Sequence, residues 1–147
     1  MSDVLVNDDA NEAPAAVAVR PLLRYAATAM AVTRVAIGVT ALAWPSLPAR
    51  AWVGPSDPLS AEILGRALGA RDLALGLGAL AALSKGPSGA RAASAWCAAG
   101  ALSDALDCAT TAAAWPRLPR VTRWLVAGSS GGAALAGAAG AIAILPD

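Results

Sequence analysis

Apolar residues in this chain come in four long runs, and prolines mark where each one stops. The ten prolines fall at positions 14, 21, 45, 48, 55, 58, 87, 116, 119 and 146. Between them lie Leu22–Trp44, Leu59–Gly86, Ser88–Trp115 and Arg120–Leu145, intervals of 23, 28, 28 and 26 residues. About 20 residues of α-helix cross the hydrocarbon core of a bilayer. Backbone in lipid must satisfy its own hydrogen bonds, so each interval is predicted to be helical. The expected helices span 22–44, 59–84, 89–115 and 121–145. The links between them are short, and short links make successive helices antiparallel. The expected fold is therefore all-α: an integral membrane antiparallel four-helix bundle over residues 21–146. Residues 1–20 carry four acids and no long apolar run, and read as a flexible tail. The first apolar interval is longer than a signal-peptide core, holds Arg34 and follows that acidic stretch, so it reads as a retained span.

Composition agrees with this pattern. Hydrophobic residues make up 57% of the 147 and charged residues only 14%, where soluble domains carry about 25% charged. Small residues dominate and phenylalanine is absent, as suits closely packed membrane helices. The net charge of +1 gives no reason to expect a nucleic-acid partner. Basic residues divide evenly between the two ends of the expected bundle and leave its orientation open. Trp44, Trp52, Trp115 and Trp124 gather at one end; Trp44, Trp115 and Trp124 read as an interfacial belt.

Charge inside the apolar runs is what raises the question of function. Arg34, Glu62, Arg66, Arg71, Asp72, Asp104 and Asp107 all fall within expected spans. A central Arg or Asp costs about 2.5–3.5 kcal/mol on insertion scales, so they are not expected to face lipid singly. Three different helices deliver charge to one level: Arg34 in the first, Arg71 and Asp72 in the second, Asp104 in the third. In the second helix Gly65, Gly69, Asp72, Gly76 and Ala79 share one stripe at 3.6-residue periodicity, a small-xxx-small surface with an acid in it. Glu62 and Arg66 form an i,i+4 pair nearer the tryptophan end. In the third helix Cys97, Gly100, Asp104, Asp107, Cys108 and Thr111 make a polar stripe, with Asp104 and Asp107 close enough to repel. The fourth helix offers Gly128-Ser-Ser-Gly-Gly132, a segment expected to pack tightly.

Two readings of this charge set follow. One is an ion-pair network fixing helix register, with Arg34 on Asp104 and Arg71 on an acid across the bundle. The other is a polar cavity, open toward the tryptophan end, holding a ligand or moving protons. Three basic against four acidic residues leave one acid without a partner of its own, and such an acid in a membrane points to function.

The absence of histidine excludes a His-based triad, His-ligated haem and the usual zinc sites. Lys85, the only lysine, lies in a turn, away from any Schiff-base role. The glycines of the second helix follow no strand and make no nucleotide loop. Cys97 and Cys108 would stand about 16 Å apart along one helix, too far to bond to each other. No cofactor or metal is expected. Any chemistry here would be carboxylate acid/base catalysis beside arginine. Asp72, Asp104, Asp107, Arg34 and Arg71 are then the catalytic candidates, with Glu62, Arg66 and Thr111 as binding candidates.

The segments Arg34-Val-Ala-Ile-Gly38, Arg66-Ala-Leu-Gly-Ala-Arg-Asp72 and Asp104-Ala-Leu-Asp107 resemble a family of small actinobacterial membrane proteins of unknown function. That family is similar in layout to the DoxX-like four-helix membrane proteins. The resemblance covers residues 20–145 and rests chiefly on the R-x-x-G-x-R-D motif. It implies a four-helix bundle in a bacterial inner membrane, and no particular reaction. Three functions remain open: binding or acid/base chemistry on a small lipophilic molecule, transport or proton-coupled export, and a structural role beside a larger membrane partner. A homodimer through the GxxxG faces would serve the second.

Overall fold

The computed structural model describes residues 13–145. Among these the chain is all-α: α1 (Ala13–Ala43), α2 (Ser46–Val53), α3 (Pro58–Leu83), α4 (Ala90–Ala113) and α5 (Arg120–Ile144), with short 3-10 turns at Gly86–Gly89 and Trp115–Arg117. Two boundaries differ from expectation. α1 starts at Ala13, so residues 13–20, assigned to the tail, are helical; Pro14 sits in the first turn, where a missing N–H leaves nothing unsatisfied. The rest of the expected tail, residues 1–12, lies outside the described residues. The link between the first two long helices is no plain loop, because α2 occupies most of it. Pro48 fits the first turn of α2, and Gly54, at φ +81°, ends it in a conformation that favours glycine.

Packing is set by small residues meeting backbone. The buried stripe of α3 is Ala61, Gly65, Gly69, Asp72, Gly76, Ala79 and Ala82, the face that periodicity assigned to helix contact. A Cβ on Gly65 would overlap the carbonyl of Pro45. One on Gly69 would lie 2.9 Å from the Gly38 carbonyl oxygen, and one on Gly76 2.7 Å from that of Ala31. Positions rising along α3 meet positions falling along α1, so the two run antiparallel. Trp96 lies against Gly78 while Asp107 meets Arg71, and the Ser94 hydroxyl donates to the Ala141 carbonyl at 2.7 Å while Cys108 lies by Ala127, so α4 runs antiparallel to α3 and to α5. The closest pairings are α1 with α3 and α4 with α5; α3–α4 and α1–α5 complete the ring.

The GSSGG segment does not pack as expected. Gly128 and Gly132 face open space, whereas a Cβ on Gly131 would lie 3.6 Å from Cys108 Sγ of α4, and Ser130, Gly137 and Ala141 are buried. The inward face of α5 is rotated away from the glycine pair.

The interior is small and partly polar, the exterior large and apolar. Every buried hydrophobic residue among those described is an alanine, while leucine, isoleucine, valine and tryptophan line the outside. By length and composition two helices are long and apolar enough to cross a membrane, Pro21–Ala43 of α1 and Arg120–Ile144 of α5. α3 and α4 fall short because their charges dilute an otherwise apolar run.

Candidate functional site

Five charged side chains from three helices form one continuous chain of ion pairs. Arg34 of α1 donates through Nη1 to Asp72 Oδ1 of α3 at 3.0 Å. Its Nη2 donates to Asp104 Oδ2 of α4 and to the Gly100 carbonyl at 3.1 Å. Arg71 of α3 grips Asp107 of α4 with both terminal nitrogens, at 2.9 and 2.8 Å, and its Nη2 lies 3.4 Å from Asp72 Oδ1. The order is Asp104–Arg34–Asp72–Arg71–Asp107, alternating in sign.

Local sequence explains the reach. Arg34 crosses the bundle because Gly100 clears its path: a Cβ there would come within 3.1–3.3 Å of the guanidinium. Asp72 occupies the one non-glycine place in the middle of the α3 contact stripe, between Gly69 and Gly76. Asp104 and Asp107 leave α4 one turn apart and go to different arginines, so the repulsion expected between them is relieved on both sides. Every acid of the four long helices has an arginine partner, counting Glu62 with Arg66; none stands alone, because the two inner arginines are shared among three carboxylates. The inner end is the drier one. Side-chain exposure is 12% for Arg34, 10% for Asp72 and 9% for Asp104, against 30% for Arg71.

All five residues line a single cavity of about 380 Å³, at the small end of the range for organic ligands. Its remaining wall comes from Met30, Thr33, Ile37 and Ala41 of α1, Pro48, Ala51 and Trp52 of α2, Leu68 of α3, and Val126, Ser129, Ser130 and Ala133 of α5. Among these lining residues Thr33, Ile37, Ala51 and Ser129 are exposed, which puts the mouth on the side of the bundle between α1 and α5. At the tryptophan end α2 contributes to the wall through Pro48, Ala51 and Trp52.

Three binding candidates fall elsewhere. Glu62 and Arg66 pair with each other on the surface, with 45% and 59% of their side chains exposed, outside the cavity. The i,i+4 spacing supplied a partner on the same helix, so neither side chain turns inward. Thr111 is buried but also outside the cavity; its hydroxyl accepts the Trp52 indole N–H at 3.0 Å and donates to the Asp107 carbonyl at 2.7 Å. It therefore holds α2 against α4. The two cysteines are free, and Cys108 Sγ lies 3.6 Å from the Ala127 carbonyl.

Sequence reasoning missed Trp52 and the faces of α1 and α5 that complete the wall. A signal for α1 was present: Met30, Ile37 and Ala41 stand at helical spacing from Arg34 and share its face. For α2 the clues were a proline near its start and glycine at its end. Compared with family models, with curated proteins and with solved structures, the chain finds no match in any of the three.

Proposed function

We propose that this is a multi-pass protein of a bacterial inner membrane, crossing it with α1, α3, α4 and α5. Its central cavity binds a small lipophilic molecule that enters from the bilayer side. The resemblance to the actinobacterial four-helix family, similar in layout to the DoxX-like proteins, belongs to the same reading.

Three features support the spanning arrangement. Each of the four long helices exceeds the length needed to cross. The arrangement of large apolar residues outside and alanine within reverses that of a water-soluble core. The charges in the middle of α3 and α4 are inward and paired; Glu62 and Arg66 near the tryptophan end, and Arg91 in the first turn of α4, are on the outside.

One observation carries the binding reading: the five-residue ion chain lines a cavity with a lateral mouth. A network that only fixed register would be served by sealed packing. Arg34 and Arg71 hold the carboxylates in place. Asp72, Asp104 and Asp107 are the groups able to accept or return a proton on a bound molecule.

Asp104→Asn tests this. The variant keeps a hydrogen-bonding group for Arg34 but loses a charge. It is expected to insert and fold while losing the small molecule that wild-type protein retains through purification, as read by native mass spectrometry. If the variant folds and the same adduct persists, or if no variant of the ion chain separates folding from binding, the network serves only to lock the helices together.

A further inference from the structure

The class of molecule follows from which atoms the cavity leaves free, an inference that rests on the binding reading above. The ion chain holds two guanidiniums and three carboxylates, so its formal charge is minus one. An anionic guest would add a second negative charge in a mostly desolvated wall, and a neutral one would leave the first uncompensated.

Hydrogen bonding points the same way. The terminal nitrogens of Arg34 and Arg71 already serve Asp72, Asp104, Asp107 and the Gly100 carbonyl. The hydroxyls in the wall are spent on their own helices: Thr33 donates to the Ala29 carbonyl, and Ser129 and Ser130 donate to that of Val126. The Trp52 indole N–H is bound to Thr111. Two guanidinium Nε groups of the ion chain have no partner among the described residues: that of Arg71 is sealed inside the protein, and that of Arg34 lies against Gly100, where an added Cβ would stand 3.2 Å from it. Two acceptors remain. Asp72 Oδ2 and Asp104 Oδ1 accept no hydrogen bond among the described residues, and neither is sealed. The cavity thus offers carboxylate acceptors and few donors, within a largely apolar wall that includes Met30, Ile37 and Val126.

We propose that the cavity takes an organic monocation, a small lipophilic amine in its protonated form, whose N–H donates to Asp72 Oδ2 or Asp104 Oδ1. Its carbon body lies along the α1 and α5 faces toward the lateral mouth.

The test uses the full chain in nanodiscs of neutral phosphatidylcholine, corrected against empty nanodiscs at neutral pH. Three probes of similar size are titrated by calorimetry: benzyldimethylamine, its uncharged isostere isobutylbenzene, and the anion 3-phenylpropanoate. The amine is expected to bind at least about tenfold more tightly than the isostere, with the anion weakest. Asp107→Asn, at the more exposed end of the chain, brings the sum to zero; it is expected to weaken the amine by about tenfold and so to remove most of its advantage over the isostere, and an undiminished advantage would overturn the charge argument. Equal binding of amine and isostere would overturn the cation assignment while leaving a lipophilic cavity in place. Tighter binding of the anion would overturn it too. Binding of none of the three would remove both this proposal and the reading beneath it.

Discussion

Arg34 and Asp104 meet across the bundle, from α1 to α4, two helices that do not adjoin in the ring, and the same guanidinium holds Asp72 at 3.0 Å on α3. One side chain thereby ties three helices together. Removing it leaves Asp104 with no arginine and Asp72 with only its 3.4 Å contact to Arg71.

Arg34→Gln is therefore expected to destabilise the fold by about 3–5 kcal/mol, the cost of breaking a buried ion pair by deleting one partner. Thermal unfolding in detergent measures it. Replacing Arg34, Asp72 and Asp104 together by apolar residues of similar volume is expected to recover much of that loss, because no buried charge is then left unpaired.

Glycines on the two faces of the bundle are expected to respond in opposite ways. Gly65→Ala forces a methyl onto the Pro45 carbonyl, so the link between α1 and α2 must move off α3; about 1–3 kcal/mol of stability is lost. Gly132→Ala meets nothing, and the gain in helix propensity is expected to stabilise by up to about 1 kcal/mol. Paired unfolding curves of the two variants decide this.

Thr111→Val removes the acceptor that ties the Trp52 indole to α4. The expected loss is about 1 kcal/mol, concentrated in α2. Amide hydrogen exchange should speed up across Ser46–Val53 and stay unchanged in α4.

Asp57 caps α3 from the link outside the long helices, accepting from the Ser60 backbone N–H at 2.9 Å and the Ser60 hydroxyl at 3.0 Å. These bonds favour the carboxylate and hold its pKa below the ordinary 3.8. A lowered folded-state pKa means the contribution is fully present above the unfolded value and disappears as pH falls through the folded one. Asp57→Ala is thus expected to melt earlier than wild type at neutral pH and to converge with it in strong acid, in melting curves taken across that range.

Much of the site could be read from residue spacing. Proline brackets gave each charge a depth, and a 3.6-residue period put Asp72 among Gly65, Gly69 and Gly76; the structure places all four on the buried face of α3. What spacing could not supply was rotation of one helix against another. α5 carries two sets of small residues, and only packing decides that Ser130, Gly137 and Ala141 turn inward while Gly128 and Gly132 turn out. The cavity itself depends on how sparingly α1 and α5 touch, which neither segment encodes alone. Glu62 and Arg66 had the charge signature of the inner residues but satisfy each other on the surface. α2 was hidden by the prolines around it, which mark a turn and a helix start equally well.

The cavity is tested most directly by filling it. Ala133 of α5 lines its wall without taking part in the ion chain, so Ala133→Trp occupies the space and leaves every charge in place. Native mass spectrometry of protein released from the membrane is expected to show a small-molecule adduct on wild type and none on Ala133→Trp, with helix content by circular dichroism the same for both. An adduct of equal mass and occupancy on the two proteins, or on neither, would contradict a ligand-binding cavity built around Asp104, Arg34 and Asp72.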